Sequence, residues 1–172
     1  MEQIRQRIIG WDESAILRII ARRGKGLTRL MRFVTKAGDG YLWAMLSAAL
    51  FFVTDAGSDW LLTGLLAFAI ELSLYKTIKQ LTTRKRPCHA MPGIQNLVEP
   101  PDEFSFPSGH TAAATVAALL FSAALPALAP VMAALALLIG VSRVYLGVHY
   151  PSDVLMGVVL GSSSYALASF LV

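Results

Sequence analysis

The chain has 172 residues, of which 55% are hydrophobic and only 15% charged, and its mean hydropathy is +0.58. A soluble domain carries about 25% charged residues, so this composition excludes an ordinary soluble enzyme and points to one domain embedded in a bilayer. The formal net charge of +4 matters less than where the charges sit; nucleic acid is not an expected partner, and the single cysteine, Cys88, excludes an intrachain disulfide.

In chain order, Arg5, Arg7, Asp12, Glu13 and Arg18 interrupt every apolar run in the first twenty residues, so no signal-peptide pattern is present there. Over 1–36, Ile4, Ile8, Trp11, Ala15 and Ile19 recur at helical spacing among seven or more basic residues. A basic amphipathic helix with a tryptophan predicts a segment lying on the membrane surface, drawn to anionic headgroups. Five spans follow, at 40–54, 60–79, 108–125, 131–147 and 153–172. A span needs roughly 17–25 residues, which makes the first one short. The third and fourth are joined by a tight PALAP turn. The expected fold class is therefore all-α: a membrane-embedded helical bundle of about five transmembrane helices with an N-terminal interfacial helix.

Two features lie outside the spans, the loop at 82–107 and the turn LGVHYPS before the last span. Counting crossings places both on the same face as the N-terminus. All 15 Lys and Arg residues then lie on that face, while the opposite one holds Asp55 and Asp59. The positive-inside rule points that face toward the cytoplasm.

Three stretches carry chemistry. Lys79 and Arg86 are two helical turns apart, and Pro87 discourages further helix; taken alone, TTRKRP is also what a juxtamembrane loop looks like. In PSGHT, Ser108 is a candidate helix N-cap and Gly109 leaves its backbone N–H open. A helix N-terminus of this kind is an anion site. His110 would stand beside the anion as a proton donor, or be incidental to a capped helix start. In SRVYLGVHYPSD, Arg143 sits near a span end, where an ionisable residue is costly enough to suggest function. His149 precedes Asp153 by four residues, and a carboxylate within reach fixes an imidazole's tautomer and frees its other nitrogen to attack. The same pair could merely staple the turn.

Together, three cations, two histidines, a carboxylate and a helix N-terminus emerge on one face. That set suits phosphoryl transfer through a phosphohistidine, with no metal or other cofactor required. A cation about 4 Å from a phosphate oxygen contributes about 4 kcal/mol at an effective dielectric near 20, so three could hold a dianion.

The series Lys79-x6-Arg86-Pro87, Pro107-Ser108-Gly109-His110 and Ser142-Arg143-x5-His149-x3-Asp153 resembles the three-part signature of the type 2 phosphatidic acid phosphatase (PAP2) superfamily, complete and in order over 79–153. The resemblance implies a membrane lipid phosphatase. His149 would be the nucleophile, Asp153 its orienting partner, and His110 the acid for the leaving oxygen and later the base for water. Lys79, Arg86, Ser108, Gly109 and Arg143 would cradle the phosphate. The implied partners are the bilayer and a membrane lipid phosphate, such as phosphatidic acid, phosphatidylglycerol phosphate or a polyprenyl phosphate derivative on a cytoplasmic face. On the outer face, undecaprenyl diphosphate or a lipid A phosphate would replace them. Membrane members of this family usually have six spans, and the five expected here would leave the first without a counterpart.

Two other classes use similar parts: soluble vanadate-dependent haloperoxidases of the same fold, and a headgroup transporter without hydrolysis. Glu71, inside the second span, is expected to pair with Arg143 or Lys76. Cys88-His89 is half a metal pattern without a second cysteine, and no metal is expected there. Gly157 and Gly161 form a GxxxG that permits close packing within the bundle or between copies of a homo-oligomer.

Overall fold

A computed structural model of the chain describes residues 2–53 and 57–172. Thr54 and Asp55, the end of the first expected span and one acid of the far face, lie outside the described residues, as does the side chain of Arg5. The described residues form helices α1 (Glu2–Ile20), α2 (Lys25–Lys36), α3 (Gly40–Val53), α4 (Gly57–Thr82), α5 (Pro87–Ala90), α6 (Gly109–Ala124), α7 (Ala129–Tyr145) and α8 (Pro151–Leu171). Their only β pairing is an isolated bridge between Lys85 and Phe104.

The fold is the all-helical membrane class that the composition predicts. Three segments are long and apolar enough to cross a bilayer: α4, α7 with the 3-10 turn Pro126–Leu128 ahead of it, and α8. At 26 residues, α4 spans about 39 Å. Both α3 and α6 are apolar but shorter, at 14 and 16 residues.

Helix α6 sits at the centre, packed against α8, α7 and α4. Its run of alanines explains the position, because small side chains let neighbouring backbones approach from every side. Ala112, Ala114, Val116 and Ala117 are fully buried. A helix apolar all round belongs in the interior. The GxxxG of α8 is used here: a Cβ on Gly157 would fall 2.7 Å from Ser108 O, and one on Gly161 would fall 2.5 Å from Ala112 O. The small-residue stripe therefore joins α8 to α6.

The N-terminal segment is two helices, with a break at 21–24. There Arg23 donates to the carbonyls of Tyr145 and Gln95, and Gly24 N donates to the Tyr145 hydroxyl. Ile4, Ile8, Trp11 and Leu17 of α1 face outward, while Asp12 and Ile16 are fully buried against the bundle. The inward face is thus not purely apolar, which the spacing of the apolar residues does not reveal.

The fourth span begins and ends two residues earlier than the 131–147 expected. Helix α7 ends at Tyr145, and Gly147, at φ +80°, turns the chain through 146–150 into α8. A left-handed backbone conformation suits glycine, and this turn delivers His149 back onto the bundle.

Candidate active site

One end of the bundle gathers the C-terminal ends of α4 and α7 and the N-terminal ends of α6 and α8. The signature residues converge there. Arg86 follows α4 by a short loop and is 1% exposed. Its Nη1 lies 3.1 Å from His149 Nε2 and donates to Val148 O at 2.9 Å. His149, 2% exposed, sits in the turn that ends α7. Its Nδ1 faces Asp153 Oδ2 at 3.5 Å, the outer limit of hydrogen bonding, and makes no closer polar contact. Asp153 Oδ2 accepts the Tyr150 N–H at 2.8 Å. Its main-chain carbonyl accepts from Ser108 N at 3.0 Å, which locks the start of α6 to the start of α8.

Ser108 occupies the N-cap position of α6, but the expected cap is not made. Its Oγ pairs with Thr111 Oγ1 at 2.9 Å instead of the helix backbone. Gly109 is required by packing, since a Cβ there would meet the Tyr75 ring at 2.8 Å. The first amides of α6 have no carbonyl within the helix to bond, so its N-terminus remains an anion-binding feature. His110, one residue on, has Nε2 3.2 Å from Asp39 Oδ1. It lies within electrostatic reach of Arg143, His149, Arg86 and Lys79.

Arg143 is 3% exposed and donates to Thr35 Oγ1 at 2.7 Å. Its Nε is buried without a partner. A buried, unsatisfied charged donor is rare enough to call for an absent acceptor; beside His110 and Arg86, an oxyanion fits.

Lys79 and Arg86 do not face an empty cradle. The carboxylate of Asp102, in the loop before α6, joins them: Oδ2 is 2.7 Å from Lys79 Nζ and Oδ1 2.8 Å from Arg86 Nη2. Lys79 also donates to the Tyr75 hydroxyl. Partial burial would raise the pKa of Asp102, but Lys79 and Arg86 outweigh it and hold the carboxylate below its usual value. Burial depresses His149 to about 4, opposed by Asp153 and reinforced by Arg143. A histidine so depressed is neutral near pH 7, which leaves one ring nitrogen with a free lone pair.

Sequence reasoning missed Asp102, Asp12 and Arg84. Asp102 carried a usable signal, an acid in a proline-rich loop a few residues ahead of the PSGH tetrad. Asp12 and Arg84 carried none, because one resembles a solvated helix charge and the other a membrane-flanking cation. Asp12 is fully buried; it accepts from Ser152 N at 2.9 Å, from Ser152 Oγ, and from Arg84 Nη2 at 2.7 Å. Arg84 Nη1 reaches Asp153 Oδ1 at 2.7 Å.

The expected partner of Glu71 is corrected. Arg143 bonds Thr35, and among the described residues Glu71 pairs with neither Arg143 nor Lys76. It lines a cavity of about 590 Å³ between α3, α4 and α6, with Asp39, Trp43, Tyr75 and His110. The cavity thus opens directly beside His110. Cys88 is a free thiol.

With this geometry in place, comparison with known proteins defines the class. The model of the PAP2 superfamily matches residues 60–171. The chain belongs to that superfamily. It is 42% identical over 109 residues to a decaprenylphosphoryl-5-phosphoribose phosphatase of Mycobacterium tuberculosis, covering 63% of this chain and 59% of that one. The chain thus spans less than two thirds of that relative. Two crystal structures share the fold. One is a transmembrane PAP2-type phosphatidylglycerolphosphate phosphatase from Bacillus subtilis, with TM-score 0.79, 31% identity, and 95% of this chain and 85% of that chain covered. The other is LpxE of Aquifex aeolicus, with TM-score 0.83, 26% identity, and 92% and 94% covered.

Proposed function

We propose that the protein is a metal-independent phosphatase acting on a phosphate group of a membrane lipid, through a phosphohistidine. The observation that carries this reading is the Arg86 guanidinium, which touches His149 Nε2 through Nη1 and the Asp102 carboxylate, where a phosphate oxygen would compete, through Nη2. The nucleophile and the charge that would hold a phosphate are thereby placed side by side.

In the first step His149 Nε2 attacks phosphorus and the bond to the lipid oxygen breaks. His110 gives that oxygen a proton, while the Nδ1–H of His149 is held toward Asp153. In the second step water attacks phosphorus, His110 takes the water's proton, and the P–N bond breaks to release inorganic phosphate. Lys79, Arg86, Arg143 and the Ser108-Gly109 start of α6 stabilise the charge on the equatorial oxygens. Stabilising developing charge is the largest contribution such a site can make, and a positioned acid adds roughly 10²–10⁴ in rate.

The bundle crosses the membrane five times, with α3 and α6 as its short spans, and α1 and α2 lie at the interface on the active-site side. The basic residues on that side support a cytoplasmic active site. The apolar cavity takes the lipid adjoining its phosphate. The Mycobacterium tuberculosis relative is a decaprenylphosphoryl-5-phosphoribose phosphatase, so the substrate panel should begin with decaprenylphosphoryl-5-phosphoribose, followed by phosphatidylglycerol phosphate, phosphatidic acid and undecaprenyl diphosphate. The test is phosphate release by purified protein in detergent with a chelator present, beside His149→Ala. Turnover that is lost in the variant supports the reading; turnover that persists in His149→Ala rejects it.

A further inference from the structure

Most of what orients the nucleophile lies within residues 60–171, the part that defines the family. One contributor lies far outside it. We propose that Asp12 of α1 is a positioning residue for the reaction, acting through Arg84 and Asp153 on His149. This inference rests on the proposed role of His149 as nucleophile.

The contacts form an unbroken chain. Asp12 is fully buried and accepts three hydrogen bonds: Ser152 N at 2.9 Å, Ser152 Oγ, and Arg84 Nη2 at 2.7 Å. The Ser152 amide belongs to the first turn of α8, where backbone donors lack helical partners, so a carboxylate is well placed there. Arg84 turns its other nitrogen to Ser152 Oγ and Asp153 Oδ1, both at 2.7 Å. Its guanidinium carbon lies 4.0 Å from the centre of the Tyr150 ring, which fixes its plane. Asp153 in turn has Oδ1 on Arg84 and Oδ2 on the Tyr150 amide and toward His149 Nδ1.

The charges explain why this exceeds a staple. Arg84 is shared between two carboxylates, so the trio Asp12–Arg84–Asp153 keeps a net charge of −1. His149 gains positive character as its Nε2 bonds phosphorus, and that residual negative charge supports it. Without the charge of Asp12, Arg84 and Asp153 become a neutral pair. Arg84 is then free to take both oxygens of Asp153 in the bidentate geometry that guanidinium prefers. Oδ2, already at 3.5 Å, would turn further from Nδ1.

Asp12→Asn removes the charge and keeps the shape. It should lower kcat by about 10- to 100-fold, the scale seen when a group that orients a reacting centre through a ligand is lost. KM should stay within about threefold, because the phosphate cradle is untouched. The deciding variant is Asp12→Asn combined with Arg84→Gln, which restores the net charge to −1. A relay predicts that kcat recovers toward wild type relative to Asp12→Asn. A purely structural staple predicts further loss, and that outcome overturns the proposal. So does a kcat that falls only in step with the melting temperature.

A readout independent of turnover separates this inference from the functional reading. The chain has three histidines, His89, His110 and His149, so their ring nitrogens can be assigned in micelles by 15N NMR with single His→Gln variants. Asp12→Asn should move the His149 signals and leave His89 unmoved. An unmoved His149 rejects the relay even if lipid is hydrolysed. A moved His149 supports it even if every lipid tested is inert.

Discussion

The Nη1 of Arg86 lies 3.1 Å from Nε2 of His149, and both side chains are almost completely buried. A cation pressed against an imidazole lone pair is tolerable only if the imidazole is neutral. It also means that an anion drawn to the guanidinium arrives at that ring nitrogen. Arg86→Lys keeps the charge and loses the planar fork, so it should reduce kcat/KM by about 10²–10³, comparable to loss of one charge-stabilising donor. Steady-state kinetics on any turned-over lipid phosphate checks this.

The carboxylate of Asp102 bridges Lys79 and Arg86. An incoming phosphate must compete with it for both cations. Asp102→Asn should therefore tighten competitive inhibition by inorganic phosphate by about tenfold, roughly 1.4 kcal/mol of relieved competition. An inhibition constant that stays the same or weakens would mean that the carboxylate is a fixed brace for the two cations.

Burial holds His149 at about 4, against 6.5 for an ordinary histidine. The unfolded chain then binds a proton between these values that the folded protein refuses, so stability rises with pH across this window. The contribution is complete above about 6.5 and is lost as pH falls toward 4. Thermal unfolding in detergent should show the wild-type midpoint dropping over that range, with a shallower drop for His149→Gln. The acid limb of kcat/KM should likewise lie well below pH 6.5.

Gly161 meets the backbone of Ala112 and the Cβ of Thr115, neither of which can rotate away. Gly161→Ala should push α8 off α6 and cost about 1–3 kcal/mol. The same shift would disturb the bond from Ser108 N to Asp153 O at the mouth of the site. Lower thermal stability together with lower activity is expected, where a surface glycine such as Gly10, with open space around it, should show neither.

The convergence of the candidate site residues was legible because they are defined by short spacings: x6 between Lys79 and Arg86, x3 between His149 and Asp153. Local spacing survives into structure when helix ends present it. What escaped was long-range. Asp12 and Ser152 are 140 positions apart, and no periodicity links them. Asp12 even sits on a helix whose apolar stripe reads as membrane-facing, because the stripe shows which side meets lipid and not what the other side meets. Glu71 was misassigned for a related reason: an acid within a span was expected to seek a cation, whereas the fold gives it a cavity wall. The two short apolar helices, α3 and α6, show why a count of spans is harder to read than their existence. Length and hydropathy measure each helix alone, while α6 is sheltered by its neighbours.

The cavity beside His110 is walled by α3 on one side and by α4 on the other, and α3 makes few contacts with the rest of the bundle. Leu65 and Leu72 belong both to the cavity wall and to the outer surface of α4, where they are 63% and 48% exposed. The chamber is therefore continuous with the flank of the bundle. A substrate entering that way moves sideways within its own leaflet and never leaves the bilayer. Reaction velocity should then follow the mole fraction of substrate among the surrounding lipids or detergent, and dilution of the whole suspension at fixed surface composition should leave the rate per enzyme unchanged.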